Sequence, residues 1–152
     1  KDAIIDGVCF ENILMENVKT PLVINMYYYC DPDGRTEFVW SHDKSIPVDD
    51  GTPYMGRFTF CNISCVGCES VAAWFDGLAE QPVKEITLEN VAFSFNPEAK
   101  PFIPAMALRV GEHCKEGLYV DNVEKLVLKN VTLDGVVGED VVCKNVGELI
   151  KE

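Results

Sequence analysis

Apolar and polar positions alternate along four stretches of the chain, and an asparagine interrupts each alternation. In Lys125–Leu133, Leu126 and Leu128 alternate with Val127 and Lys129, the two-residue period of a strand with one packed face. Asn130 breaks the run, and Val131 and Leu133 resume it. Asparagine is one of the few residues that tolerates a left-handed backbone, so this position predicts a sharp turn between two short strands. Glu85–Phe93, Arg57–Cys65 and Gly7–Met15 repeat the pattern around Asn90, Asn62 and Asn12.

A further strand-like run follows each asparagine motif: Pro21–Met26, Val71–Phe75, Ala105–Val110 and Asp140–Cys143. The unit is therefore strand, asparagine turn, strand, loop, strand. Such a unit cannot close a core alone. Stacked on its neighbours, it pairs each strand in parallel with its equivalent and lines up the inward side chains in apolar columns. The asparagines would then form a ladder. The runs are rich in Val, Ile, Phe and Thr and are broken by turn residues every few positions, which disfavours helix. The expected fold is all-β: a right-handed parallel β-helix of about four coils in a single domain spanning residues 1–152. A leucine-rich repeat would place two residues between the last leucine of the strand and the asparagine. Here only Glu89 or Lys129 intervenes, and the asparagines are 50, 28 and 40 residues apart.

Two segments stand outside the repeat. Residues 30–56 form a long loop with turn residues at Asp31-Pro32-Asp33-Gly34 and breakers at Pro47, Gly51 and Pro53. Loops of that length in a compact fold usually carry function or lack order. Residues 96–104 contain three prolines. Gly147–Glu152 reads as a charged terminus beyond the last coil.

Charge changes the picture more than overall composition does. Thirteen Lys and Arg against 25 Asp and Glu leave a net charge of -12, with no basic run. Such a chain repels nucleic acid and anionic membranes, so neither is expected as a partner. No apolar stretch reaches the length of a membrane span. There is no signal peptide, and the expected compartment is cytoplasmic. The seven cysteines fall mostly within strand-like runs, as small apolar residues of a reduced protein would. Cys61, Cys65 and Cys68 lie close together, but no fourth zinc ligand is evident, and no metal or cofactor is expected.

Several of these stretches, in order, carry a resemblance. They are the Asn-Ile and Asn-Val turns, Pro21-Leu22-Val23-Ile24-Asn25-Met26-Tyr27-Tyr28, the turn Gly77-Leu78-Ala79-Glu80-Gln81-Pro82-Val83, and Gly117-Leu118-Tyr119-Val120 before Asn122-Val123. From Gly7 to about Val146 the chain resembles the C-terminal half of the polygalacturonase family, the pectin-degrading β-helix glycoside hydrolases. The resemblance implies inverting hydrolysis of galacturonate chains, which needs an acid carboxyl and a base carboxylate separated by a water. The family's Asn-Thr-Asp, Asp-Asp, Gly-His-Gly and Arg-Ile-Lys motifs precede the coil that opens this chain. None of them is found in this sequence at a matching place. The expectation is a fragment truncated at its N-terminus and inactive alone, with no catalytic residue of its own.

Asp49-Asp50 lies downstream of the tyrosine-bearing strand, where the family's pair lies upstream, and reads as a solvated loop turn. His42 and His113 sit in polar contexts and read as surface histidines. The resemblance assigns Tyr28 to the floor of the substrate cleft, where an aromatic plane packs on the apolar face of a sugar. Trp40, in the long loop, is a second candidate for the same cleft. Alternation of the tyrosines between core and solvent, with no ligand, is the other reading of the run.

Two functions follow. One is the C-terminal portion of a glycoside hydrolase acting on pectin-type galacturonate polymers or oligomers, with a uronate-containing carbohydrate as partner. The other is a non-catalytic β-helix module for assembly or carbohydrate binding. A first coil starting so close to Lys1 would expose its strand edges, so homo-oligomers through the N-terminal coil are expected.

Overall fold

Each of the four repeat asparagines takes up the left-handed backbone that the pattern predicts, with φ of 59° at Asn12, 54° at Asn62, 53° at Asn90 and 52° at Asn130. The computed structural model describes residues 3–28, 35–41 and 44–152. One asparagine sits inside each of four long strands: β2 (Val8–Glu16), β5 (Arg57–Cys68), β7 (Glu85–Phe95) and β9 (Val123–Asp134). Its effect shows in the parity of burial. Ile86 and Leu88 face inward before Asn90, and Val91, Phe93 and Phe95 face inward after it. A regular strand would have turned Asn90 inward. The left-handed residue resets the alternation, so both arms keep an apolar face on the core.

The other elements in chain order are β1 (Ile4–Ile5), β3 (Leu22–Asn25), α1 (Glu37–Ser41), β4 (Tyr54–Met55), β6 (Val71–Asp76), β8 (Glu116–Asp121), β10 (Val141–Cys143) and β11 (Val146–Lys151). They form three sheets: β11-β9-β7-β5-β2, β10-β8-β6-β3 and β1-β4. Every strand pairing is parallel. The chain passes from the five-stranded sheet to the four-stranded sheet and back, laying each strand beside its equivalent one unit earlier. Among the described residues, β2 and β11 are the outer strands of the one large sheet and β3 and β10 those of the other.

Register turns the repeat into columns. Phe10, Phe60, Leu88 and Leu128 are successive partners, as are Ile13, Ile63, Val91 and Val131. In the four-stranded sheet Ile24, Phe75, Val120 and Cys143 align. The two sheets meet through one buried cluster in which Phe60 stacks on Phe75 at 5.7 Å between ring centroids; on its other side Phe60 stacks on the exposed Phe10 at 5.3 Å. Burying a side chain such as Leu88 contributes about 1.5–3 kcal/mol.

The asparagine amides form the expected ladder. Asn62 donates to Asn12 at 3.3 Å, Asn90 to Asn62 at 3.2 Å, and Asn130 to Asn90 at 2.8 Å. A second, shorter ladder joins Asn145 to Asn122 at 2.8 Å, and Asn122 itself donates to the Gly77 carbonyl at 2.9 Å.

Three sequence expectations are corrected. Residues 105–110, expected as a strand, form an irregular loop; Met106 and Arg109 have φ of 61° and 54°, which no strand accommodates. The strand of that unit is β8, and the loop lies across the outer face of the sheet. Gly147–Glu152, expected as a terminus beyond the coils, falls largely within β11, which pairs with β9 from Val146↔Val123 to Lys151↔Leu128. Its charged side chains Glu148 and Lys151 are exposed, while Val146 packs against the core cluster. The 30–56 segment, expected as loop, contains α1 and β4, and β4 is held by its pairing with β1.

Candidate functional site

The outer face of the four-stranded sheet collects most of the chemistry. Alternation along β6 sends Ala73 and Phe75 into the core and Trp74 and Asp76 outward, yet all four are buried. The cover is the loop of residues 96–115. Ala107 and Val110 pack on Trp74, and Trp74 stacks on Tyr119 of β8 with ring centroids 3.9 Å apart and planes 10° from parallel. The loop is fastened at several points. Phe102 and His113 exchange two backbone hydrogen bonds of 2.9 Å, and Ser70 Oγ donates to the Phe102 carbonyl at 2.8 Å. Asn25 Nδ2 donates to the Met106 carbonyl at 2.6 Å, and Ala105 N–H donates to Thr20 Oγ1 at 3.1 Å.

At the C-terminal ends of these strands the register stacks Asn25, Asp76 and Asp121. Sequence reading missed both carboxylates, because each closes an apolar run and looks like an ordinary strand terminus. Asp76 is 1% and Asp121 5% exposed. Two tyrosines feel them. Tyr27, fully buried, accepts a hydrogen bond from Ala79 N–H at 3.0 Å. Burial pushes the Tyr27 phenol up to about 12, opposed by the Ala79 N–H and reinforced by the charges of Glu80, Asp76 and Asp121. Burial also raises the Tyr119 phenol, helped by Asp121 and Asp76 and by a hydrogen bond to the Asp121 carboxylate. Adjacent strands lie about 4.8 Å apart, too close for an acid and base that must hold a water between them, and neither carboxyl reaches solvent. Asp121 holds the Tyr119 hydroxyl, while Asp76 acts on Tyr27 and Tyr119 through its charge.

Tyr28 follows β3 and is 44% exposed. The helix α1 lies against its neighbour: the Phe38 ring meets Tyr27 at 6.2 Å between centroids. Trp40 lies on the same helix, and the Arg109 guanidinium sits 3.6 Å above its ring. Such a contact over tryptophan is attractive by about 0.5–1 kcal/mol at exposed sites. Arg109 is a third residue that sequence reading missed. It sits in the segment expected to be a strand, and nothing in its neighbours signals that a left-handed turn will carry it over a helix. The structure therefore sets Trp40 against a cation, and Tyr28 at an exposed position three residues beyond the end of β3.

The remaining candidates fall elsewhere. Asp49 closes an exposed turn: its carboxylate accepts from Gly51 N–H at 2.8 Å, and its own N–H donates to Thr52 Oγ1 at 3.0 Å. His113, expected at the surface, is half-buried; it is bonded to Glu116 through Nδ1 and lies edge-on to Trp74. Its position at the neck of the covering loop accounts for the difference. With Glu116, Tyr119 and Val142 it lines a mainly apolar cavity of about 370 Å³ on the outer face of β8 and β10. His42 lies outside the described residues. Cys61 borders the Asn62 corner, whereas Cys65 and Cys68 face the core. Among the described residues no three His, Cys, Asp or Glu side chains are grouped as a metal site, and no helix is long and apolar enough to cross a membrane. Comparison with protein-family models, curated proteins and solved structures finds no match to this chain.

Proposed function

We propose that the chain is the C-terminal portion of a right-handed parallel β-helix of the polygalacturonase type, and that the surface bearing Tyr28, Trp40 and Arg109 is part of the wall of a cleft for a uronate-containing carbohydrate. The observation that carries this reading is the pairing of Arg109 with Trp40 beside the stacked parallel sheets. A sugar ring offers an apolar face to an aromatic plane, and a uronate adds a carboxylate that matches the planar fork of a guanidinium. A cation fixed on an aromatic ring gives a chain of net charge -12 a local positive site that an anionic sugar would use. The chain by itself is expected to be inactive. None of the family's carboxylate motifs stands at a matching place in its sequence, and Asp76 and Asp121 are too buried to act on a polymer.

Titration with a galacturonate oligomer at low salt, followed by NMR of the indole N–H signals, tests the reading. Weak binding is expected that moves the Trp40 signal, is lost in Trp40→Ala and Arg109→Ala, and fades as salt screens the charge. Signals that do not move, or that move equally in both variants, refute it. Reducing-end release from polygalacturonate that disappears in the Asp49→Asn, Asp50→Asn double variant would show the turn to be catalytic.

The burial of the Asp76 and Asp121 carboxyls favours a second reading, a non-catalytic β-helix module for assembly or carbohydrate binding. The reading frame upstream of Lys1 separates the two: Asn-Thr-Asp and Asp-Asp motifs there belong only to the hydrolase.

A further inference from the structure

The strand β5 contains a Cys-x-x-Cys sequence, Cys65-Val66-Gly67-Cys68, whose spacing should set the two thiols on opposite faces of a regular strand. It does not, because the register with β7 slips there. Cys65 pairs with Phe93, Val66 with Ser94 and Cys68 with Phe95, leaving Gly67 as the extra residue of a β-bulge. Gly67 has φ of 80°, and a Cβ on it would lie 2.5 Å from Asn17 Oδ1, so the bulge requires glycine. Its flanks are pinned: Asn17 N–H donates to the Val66 carbonyl at 2.7 Å, and Asn96 N–H to the Cys68 carbonyl at 2.9 Å. Both cysteines consequently face the core on the same side, each 1% exposed.

The bulge gives them the spacing of residues two apart in a strand, about 6.6 Å between Cα atoms. Disulfides span roughly 4.4–6.8 Å between Cα atoms, so this pair lies at the upper end of the bridging range. The Cys68 thiol already points back at Cys65, donating to its carbonyl oxygen at 3.8 Å. We propose that Cys65 and Cys68 are a redox pair that closes a disulfide across the β5 bulge by exchange with a small-molecule disulfide such as oxidised glutathione.

In the first step the Cys68 thiolate attacks one sulfur of the small disulfide and expels a thiolate, leaving a mixed disulfide. Cys65 then gives up its proton, attacks the Cys68 sulfur and expels the second thiolate. The pair loses two electrons and two protons, and the small disulfide leaves as two thiols. The two cysteines are unequal in the direction this order needs. A hydrogen bond from Cys65 to the Cys68 sulfur holds the Cys68 thiol below its usual range, and the same bond with burial pushes Cys65 up. Burial means that exchange proceeds through local opening of the bulge, or before the sheets close during folding.

The test removes the access barrier. The full chain is unfolded in urea and refolded in glutathione buffers of increasing oxidised fraction. The fraction with native circular dichroism is then unfolded again in the presence of an alkylating reagent, which reaches buried thiols, and its disulfides are mapped by mass spectrometry of peptides. The expected result is a Cys65–Cys68 disulfide in that fraction, its yield rising with the oxidised fraction and returning to zero on reduction. The proposal is overturned if both thiols stay alkylatable in the native fraction while exposed Cys9 and Cys143 become glutathionylated. It is equally overturned if the Cys65–Cys68 bridge occurs only in chains without native circular dichroism.

Discussion

Replacing Asn90 separates the two jobs assigned to the repeat asparagines. Its amide donates to Asn62 and its carbonyl accepts from Asn130, and its backbone stands at φ 53°. Asn90→Ala removes both amide bonds, which are exposed and so contribute about 0.5 kcal/mol each, the low end for hydrogen bonds. It also places a β-carbon in the left-handed region at roughly 1–2 kcal/mol. The expected loss is about 2–3 kcal/mol. Asn90→Gly loses the same bonds but meets no steric penalty, and pays only the roughly 0.5–1 kcal/mol of extra chain entropy. Its expected loss is about 1.5–2 kcal/mol. Asn12 stands at the end of the ladder, where it shares one amide bond, with Asn62, at φ 59°, so Asn12→Ala should cost about 0.5 kcal/mol less than Asn90→Ala. Equilibrium urea unfolding followed by circular dichroism measures all three, with equal slopes as the check that the transition is unchanged. Asn90→Gly as costly as Asn90→Ala would refute the claim that left-handed backbone is what asparagine supplies here. Losses under about 0.5 kcal/mol in every variant would refute the ladder as well.

Tyr27 gives a pH prediction. Its folded pKa of about 12 lies above the ordinary 10, so between those values the folded state holds a proton that the unfolded state has lost. Its contribution to stability is complete below pH 10 and falls as pH rises toward 12; ultraviolet titration should show late-ionising tyrosine, and Tyr27→Phe should flatten the alkaline decline in stability. Leu88→Ala, at a fully buried column position, should cost about 2–5 kcal/mol in urea unfolding, and a loss below 1 kcal/mol would contradict its place in the core. The proposal that two copies associate through β2, an outer strand of its sheet among the described residues, rests on a cleft of about 280 Å³ lined by Phe10, Ile13, Met15 and Leu22. Sedimentation at micromolar concentrations should give a dimer that Ile13→Lys converts to monomer; a monomer before substitution removes the idea.

Much of the framework was legible in the residues because it is local and repeated. Ile86 and Leu88 before Asn90, with Val91 and Phe93 after it, announce two half-buried arms and a left-handed residue between them. The same order around Asn12, Asn62 and Asn130 announces stacking. The exceptions were single events. Met106 and Arg109 adopt left-handed backbone with no glycine or asparagine to signal it, so an apolar run that reads as strand became a covering loop. The slip at Gly67 was hidden for the same reason: one extra residue in a strand is seen only against its partner.

The candidate site divides along the same line. Tyr28 and Trp40 could be singled out as aromatic residues at a strand end and in a long loop. That Trp40 meets Arg109, 69 residues further along the chain, was decided by how the 96–115 loop folds back over the outer sheet face. Asp76 and Asp121 are 45 residues apart and become neighbours only through the parallel register of β6 and β8. Alternation within a strand is set by backbone geometry and survives in any one-dimensional reading. Contact between strands depends on register and on the length of the intervening loops, which only the packed structure supplies.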